Sequence, residues 1–218
     1  MDKDFAKRKF KTGYGVPSQN EQDSRMIFEE TGALLEGHFI YTSGNHGAVY
    51  VNKDAVYPWT QKISRMCQYI AMEYCSSNIE VVAGPALGGI ILSQWVAYHL
   101  TSITGRDVFA VYAEKINGRL RFKRGYDQII ANKRVLIVED IITTGGSVQQ
   151  VVNIVKSLNG NIRGVYALWN RGHVNADSLN VDNCGAILRE KFPTWTTDEC
   201  PLCTAKIPIN NNVGKGKK

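Results

Sequence analysis

The chain has 218 residues, 44% of them hydrophobic, and a formal net charge of +6. Such a length and apolar content suit one large globular domain and exclude a disordered chain. No apolar stretch approaches the ~20 residues that a membrane-spanning helix needs, so no membrane partner is expected.

The opening residues, Met1-Asp2-Lys3-Asp4-Phe5-Ala6-Lys7-Arg8-Lys9, lack the apolar centre of a secretion signal, and a cytoplasmic location is expected. Residues 24–36 carry a helical pattern that ends near Gly37. Residues 39–41 and 49–52 read as short strands around a Ser-Gly-Asn-His-Gly turn. Ile63, Met66, Cys67, Ile70 and Tyr74 recur at helical spacing across 59–76. Strands at 81–83, 108–112, 134–138 and 165–169 then alternate with helices at 90–100 and 148–158. That alternation is the pattern of a parallel sheet flanked by helices. Arg119-Leu120-Arg121-Phe122-Lys123 predicts a hairpin with its basic residues on one face. The tail from Asn210 to Lys218 is of low complexity and is expected to be mobile. The α/β core is expected over 55–175. Residues 1–54 and 176–218 flank it and are expected to pack together as a small cap over the strand ends.

Basic residues cluster at Lys7, Arg8, Lys9 and Lys11, at Lys215, Lys217 and Lys218, and at Arg119, Arg121, Lys123 and Arg124. No nucleic-acid reading module accompanies them, so the charge points to a small anionic substrate. Five cysteines do not make an even disulfide framework. Cys200-Pro201-Leu202-Cys203 has the spacing of half a zinc site, to which Cys184 or His173 could contribute. With no second pair, the ligand count favours a plain reduced turn, and no metal held by the protein's own side chains is expected.

The most informative run is Val135-Leu136-Ile137-Val138-Glu139-Asp140-Ile141-Ile142-Thr143-Thr144-Gly145-Gly146-Ser147. Four apolar residues read as a strand buried on both faces, with two acids where it should end. A loop of hydroxyls and glycines follows, then a helix marked by Val148, Val151, Val152, Val155 and Leu158. Ligands of open α/β sheets bind beyond the carboxyl ends of strands. There the acids can accept from sugar hydroxyls, and the loop and helix N-terminus can surround a phosphate. Gly84-Pro85-Ala86-Leu87-Gly88-Gly89 forms a second glycine-rich strand-to-helix loop on the same edge. Two such loops fit a ligand phosphorylated at both ends.

This order of strand, acid pair, Thr-Thr-Gly-Gly-Ser loop and helix resembles the PRPP-binding signature of type I phosphoribosyltransferases. The resemblance implies an α/β sheet of that type with a small hood subdomain. It implies that Glu139 and Asp140 hold the ribose hydroxyls, and that Thr143, Thr144, Gly145, Gly146 and Ser147 hold the 5′-phosphate. The loop at Ala86, Leu87 and Gly88 resembles the pyrophosphate loop of orotate phosphoribosyltransferases, with glycine at 88 where a lysine is common. Thr42, Ser43 and Tyr50 resemble the segment of that family that closes over the base. Arg171, at a strand end, matches an arginine that binds the orotate carboxylate. Lys115 matches, within an altered 113–125 loop, a basic loop whose residues act catalytically on the neighbouring subunit of a homodimer. Mg²⁺ is implied as cofactor, PRPP as one substrate and a nucleobase, orotate first, as the other. Two alternatives keep the fold: transfer to a different base, and a non-catalytic PRPP-sensing regulator.

Overall fold

The computed structural model describes residues 17–213. The basic clusters at 7–11 and 215–218 lie outside the described residues. Helix α1 (Gln19–Glu30) opens with a capping box in which the Ser18 hydroxyl accepts from the Glu21 N–H and the Glu21 carboxylate accepts from the Ser18 N–H. The chain turns at Thr31 and Gly32. Leu34 and Leu35 therefore start a strand rather than extend the helix, as their apolar run had suggested. Strand β1 (Leu34–Ile40) pairs antiparallel with β2 (His46–Val51), and a register irregularity falls between Glu36 and Phe39.

Helix α2 (Thr60–Tyr74) leads to the alternating core: β3 (Val81–Pro85), α3 (Gly88–Thr104), β4 (Phe109–Ile116), β5 (Arg119–Phe122), α4 (Tyr126–Ile130), β6 (Arg134–Ile142), α5 (Gly146–Ser157) and β7 (Asn161–Asn170). After α6 (Ala176–Leu179), β8 (Cys184–Arg189) joins the sheet edge, so the parallel layer runs past the expected boundary at 175. Its order is β5-β4-β3-β6-β7-β8, parallel apart from the antiparallel β4–β5 hairpin. β9 (Thr194–Trp195) pairs with β2 to complete the hood, and α7 (Pro201–Thr204) follows. At the start of the tail, the Asn210 N–H donates to the His38 carbonyl at 2.7 Å.

The sheet is buried on both faces, and alternation along its strands shows why. Val82, Leu136 and Val138 pack with Ile63, Met66, Ile70, Leu92 and Val96 of α2 and α3. Val81, Ala83, Val135 and Ile137 pack on the other face with Val148, Val151, Val152 and Val155 of α5. A near-continuous apolar strand is what two helical layers require. In the β4–β5 hairpin, Arg119 and Arg121 are exposed while Leu120 is buried, the split its alternation predicts. Among the described residues no helix is long and apolar enough to cross a membrane.

Candidate active site

The site follows from one feature of the topology. Going from β3 the chain places β4 on one side of it and β6 on the other, so the strand order reverses between β3 and β6. β6 pairs with β3 only as far as Ile137, then continues to Ile142 with β7 alone. A crevice opens where neighbouring strands diverge in this way. Glu139 and Asp140 lie on that free stretch, inside a strand longer than its apolar run had predicted. The β3–α3 loop with Ala86, Leu87 and Gly88 faces them from the other side.

The resulting cavity of about 770 Å³ is lined by Thr42, Ser43 and Tyr50 from the hood, Ala86, Leu87 and Gly88 from the β3–α3 loop, Glu139 and Asp140, Thr143, Thr144 and Ser147, and Arg171. The structure thus brings together most of the residues expected from sequence. Gly145 and Gly146 are not among the lining residues. Gly145 has φ 78 and caps α5 without a side chain, which leaves the first N–H groups of that helix to meet an anion. Lys115 stays outside the cavity. It is exposed on β4, opposite Leu120 of the hairpin.

Residues that sequence reasoning missed complete the wall: Tyr41, Lys53, Lys191, Phe192 and Thr194. Lys53 donates to Asp140 Oδ2 at 2.5 Å, and the Tyr57 hydroxyl donates to the same oxygen at 2.5 Å. Asp140 Oδ1 accepts from the Ile141 N–H at 2.5 Å. Asp140 is therefore fixed before any ligand arrives. Burial alone would lower the pKa of the Lys53 ammonium, but the charge and hydrogen bond of Asp140 outweigh it and raise it. Burial first, and the neighbouring Asp140 charge second, push the Glu139 carboxyl well above the usual carboxylate range. Its Oε1 accepts from the Asp140 N–H at 3.1 Å. Lys53 pairs with Asp140 and not with Glu139, whose carboxyl is left to burial and to the adjacent like charge. A Cβ built at Gly88 would collide with the Asp140 carboxylate and the Tyr57 hydroxyl. The space that a residue-88 side chain would enter is taken by this network.

Arg171 is held at the far end. Its N–H donates to the Ile142 carbonyl at 2.8 Å, and its guanidinium carbon stands 5.7 Å from the Tyr41 ring centre and 5.2 Å from that of Phe192. Its Nε is buried without a hydrogen-bond partner. A buried unpaired donor costs roughly 1–3 kcal/mol unless a ligand satisfies it.

Comparison with known proteins bears on what this cavity is. A family model described as phosphoribosyl transferase domain matches residues 54–200. Orotate phosphoribosyltransferase of Desulforamulus reducens is 37% identical over 189 residues, covering 87% of this chain and 94% of that protein. The Thermotoga maritima protein of the same name is 33% identical and covers 88% and 98%. In structure, the chain resembles Mycobacterium tuberculosis orotate phosphoribosyltransferase in complex with inorganic phosphate, with TM-score 0.63 and 18% identity over 78% of this chain and 95% of that one. At that identity the likeness shows the fold, a type I phosphoribosyltransferase sheet with its hood. The matched family region takes in both glycine-rich loops and the acid pair, and the sequence identity extends over nearly the whole length of the relatives: this chain is a member of the orotate phosphoribosyltransferase family.

Proposed function

We propose that the protein transfers the 5-phosphoribosyl group of PRPP to orotate, forming orotidine 5′-phosphate and pyrophosphate. A ring nitrogen of the base attacks ribose C1 as the bond from C1 to the pyrophosphate oxygen breaks. The 5′-phosphate sits on the N-terminus of α5, against Thr143, Thr144 and Ser147. Glu139 and Asp140 accept from the ribose hydroxyls and face the positive charge that develops on the ring in an oxocarbenium-like transition state. Neither needs to move a proton. Their work is positioning and electrostatics, in a crevice whose polar groups are already oriented.

The observation that carries the choice of base is Arg171: a half-buried side chain whose guanidinium lies against two aromatic rings, with its buried Nε–H unpaired. A planar carboxylate satisfies such a group by two parallel hydrogen bonds. Thr42, Ser43 and Tyr50 close the hood side of the same space. Mg²⁺ fits as a substrate-borne ion, because among the described residues the cavity offers two carboxylates and this cation binds through one or two of them together with substrate phosphates. When bound, it neutralises charge on the leaving pyrophosphate.

Lys115 has no place in its own subunit's cavity. We assign it to the cavity of a second copy in a homodimer, carried there on the β4–β5 hairpin.

The test is kinetic. Arg171→Ala should raise KM for orotate by roughly 10–100-fold, the loss of a charge-assisted pair, and leave KM for PRPP nearly unchanged. It should also abolish the preference for orotate over uracil, which lacks the carboxylate. Equal effects on both substrates, or an intact preference over uracil, would remove Arg171 from base recognition.

A further inference from the structure

Two histidines and two cysteines far apart in sequence meet on the hood, outside the cavity. His38 lies on β1 at the register irregularity, where a bulge can re-aim a side chain. His46 opens β2, Cys200 caps α7 and Cys203 lies within it. His38, His46 and Cys200 are buried and Cys203 is half-buried, and their ligand atoms all lie within 4.8 Å of one another. His38 Nε2 is 2.7 Å from His46 Nδ1 and 3.7 Å from each sulfur. Cys203 Sγ is 3.3 Å from His46 Nδ1. Both cysteines are free thiols.

The outer partners orient these atoms. His38 Nδ1 lies 2.8 Å from the Ile207 carbonyl, a pairing that only an N–H can make, so Nε2 presents a lone pair inward. On the other ring, His46 Nε2 meets the Thr197 hydroxyl at 3.4 Å and leaves Nδ1 facing the cluster. Imidazoles that bind metals are held in this way by their second nitrogen.

We propose that His38 Nε2, His46 Nδ1, Cys200 Sγ and Cys203 Sγ bind one structural Zn²⁺. Two thiolates and two imidazoles are the donor set of tetrahedral zinc, and two thiolates balance its charge in a buried setting. With Zn–N near 2.0–2.1 Å and Zn–S near 2.3 Å, tetrahedral ligands stand about 3.3–3.8 Å apart. The three sulfur–nitrogen separations of 3.7, 3.7 and 3.3 Å fall within that range, the two nitrogens need to part by roughly 0.6 Å, and the widest pair, within 4.8 Å, needs to close by about 1 Å at most. Four protein ligands close the coordination shell, so the ion is structural and takes no part in the chemistry. Neither Cys184 nor His173, the partners the sequence suggested, joins the cluster. Cys184 instead directs its thiol to the Val174 carbonyl.

The position gives the ion a task. His38 and His46 stand on the two stems of the 41–45 loop, which carries Thr42 and Ser43. Cys200 and Cys203 follow the segment that supplies Phe192 and Thr194 to the same cavity. The hood sheet has three strands, one of them only two residues long. A metal crosslink replaces the core that so small a unit cannot build.

The full chain, purified without a histidine tag or chelator, should contain about one zinc per chain by elemental analysis. Cys203→Ser and His38→Gln should lose most of it, whereas Cys184→Ser keeps it. Because ligand variants can unfold, the wild type carries its own test. Cobalt-grown protein should show thiolate-to-cobalt charge transfer and the visible bands of tetrahedral Co²⁺. Stripping zinc with a strong chelator should lower Tm by about 5 °C or more, and zinc should restore it. Wild-type protein without stoichiometric metal and without a Tm response to zinc would overturn the site. So would full zinc content in Cys203→Ser, or a Cys200–Cys203 disulfide detected by mass.

Discussion

Glu139 carries its charge at a cost to folding. Its folded pKa stands above the ordinary value of 4.5, so between the two values the folded state binds more protons than the unfolded chain. Stability therefore falls as pH rises from about 4.5 through the folded pKa, and above it the full penalty remains. Glu139→Gln removes the charge and keeps an acceptor for the Asp140 N–H. The variant should melt higher than wild type at neutral pH, converge with it at acid pH, and turn over more slowly. Thermal denaturation across that range, beside kcat, checks the pair of effects. A variant less stable than wild type at neutral pH would contradict the account. Asp140 behaves differently. A carboxylate placed only to face ligand could be replaced at little cost to folding, but this one anchors Lys53 and Tyr57 and is 3% exposed. Asp140→Asn should lower kcat at least tenfold and also cost about 1–3 kcal/mol of stability, since it strands a partly buried ammonium. Urea unfolding distinguishes this from a purely catalytic loss.

At the scale of elements, the site is two strand-to-helix connections aimed into one crevice. The β3–α3 loop comes within van der Waals reach of Asp140 because residue 88 has no side chain. Gly88→Ala should therefore push the Asp140–Tyr57 pair out of position. The expected outcome is a rise in KM for PRPP and a fall in kcat of about tenfold or more, with Tm only modestly lowered, because overpacking typically costs about 1–3 kcal/mol. Steady-state kinetics with PRPP varied, beside a melt, checks it. Unchanged PRPP kinetics would mean that the loop can move away at no cost to binding.

The whole molecule places its reactive groups where the strand order reverses and lays a small hood over them. The β4–β5 hairpin extends the sheet away from this crevice and carries Lys115 with it. If that lysine serves a partner, two inactive variants can rescue each other. Lys115→Ala leaves the acid pair intact, and Asp140→Asn leaves the hairpin intact. A mixed dimer contains one intact composite site, so reassociation should restore up to about half the activity per heterodimer, by the symmetry of a two-fold assembly. Verified heterodimers without recovered activity would place Lys115 in its own subunit or outside the reaction.

What could be read from the chain alone was whatever neighbouring residues encode together. The apolar strand, the acid pair, the hydroxyl-glycine loop and the following helix lie within one stretch, and hydrophobic period distinguishes strand from helix. That stretch, with the alternation around it, specified the parallel sheet and the edge on which the cavity opens. Element ends were less legible. Leu34 and Leu35 looked helical because a short apolar run suits either state, and β6 outran its apolar core because pairing with β7 carries it through two acids. β8 went unseen, since its strand is defined by the edge it joins. Tertiary structure alone decided the pairings between distant segments: Lys53 and Tyr57 on Asp140, Tyr41 and Phe192 around Arg171, His38 and His46 beside Cys200 and Cys203. No local pattern marks Lys53, Tyr57, Tyr41, Phe192, His38 or His46 as the partners of residues the sequence did single out. Lys53 sits just past a hood strand as any surface lysine does, and the histidines follow no metal-binding spacing with the cysteines. Their partners are fixed by how the hood folds onto the sheet, a long-range contact that sequence periodicity does not encode.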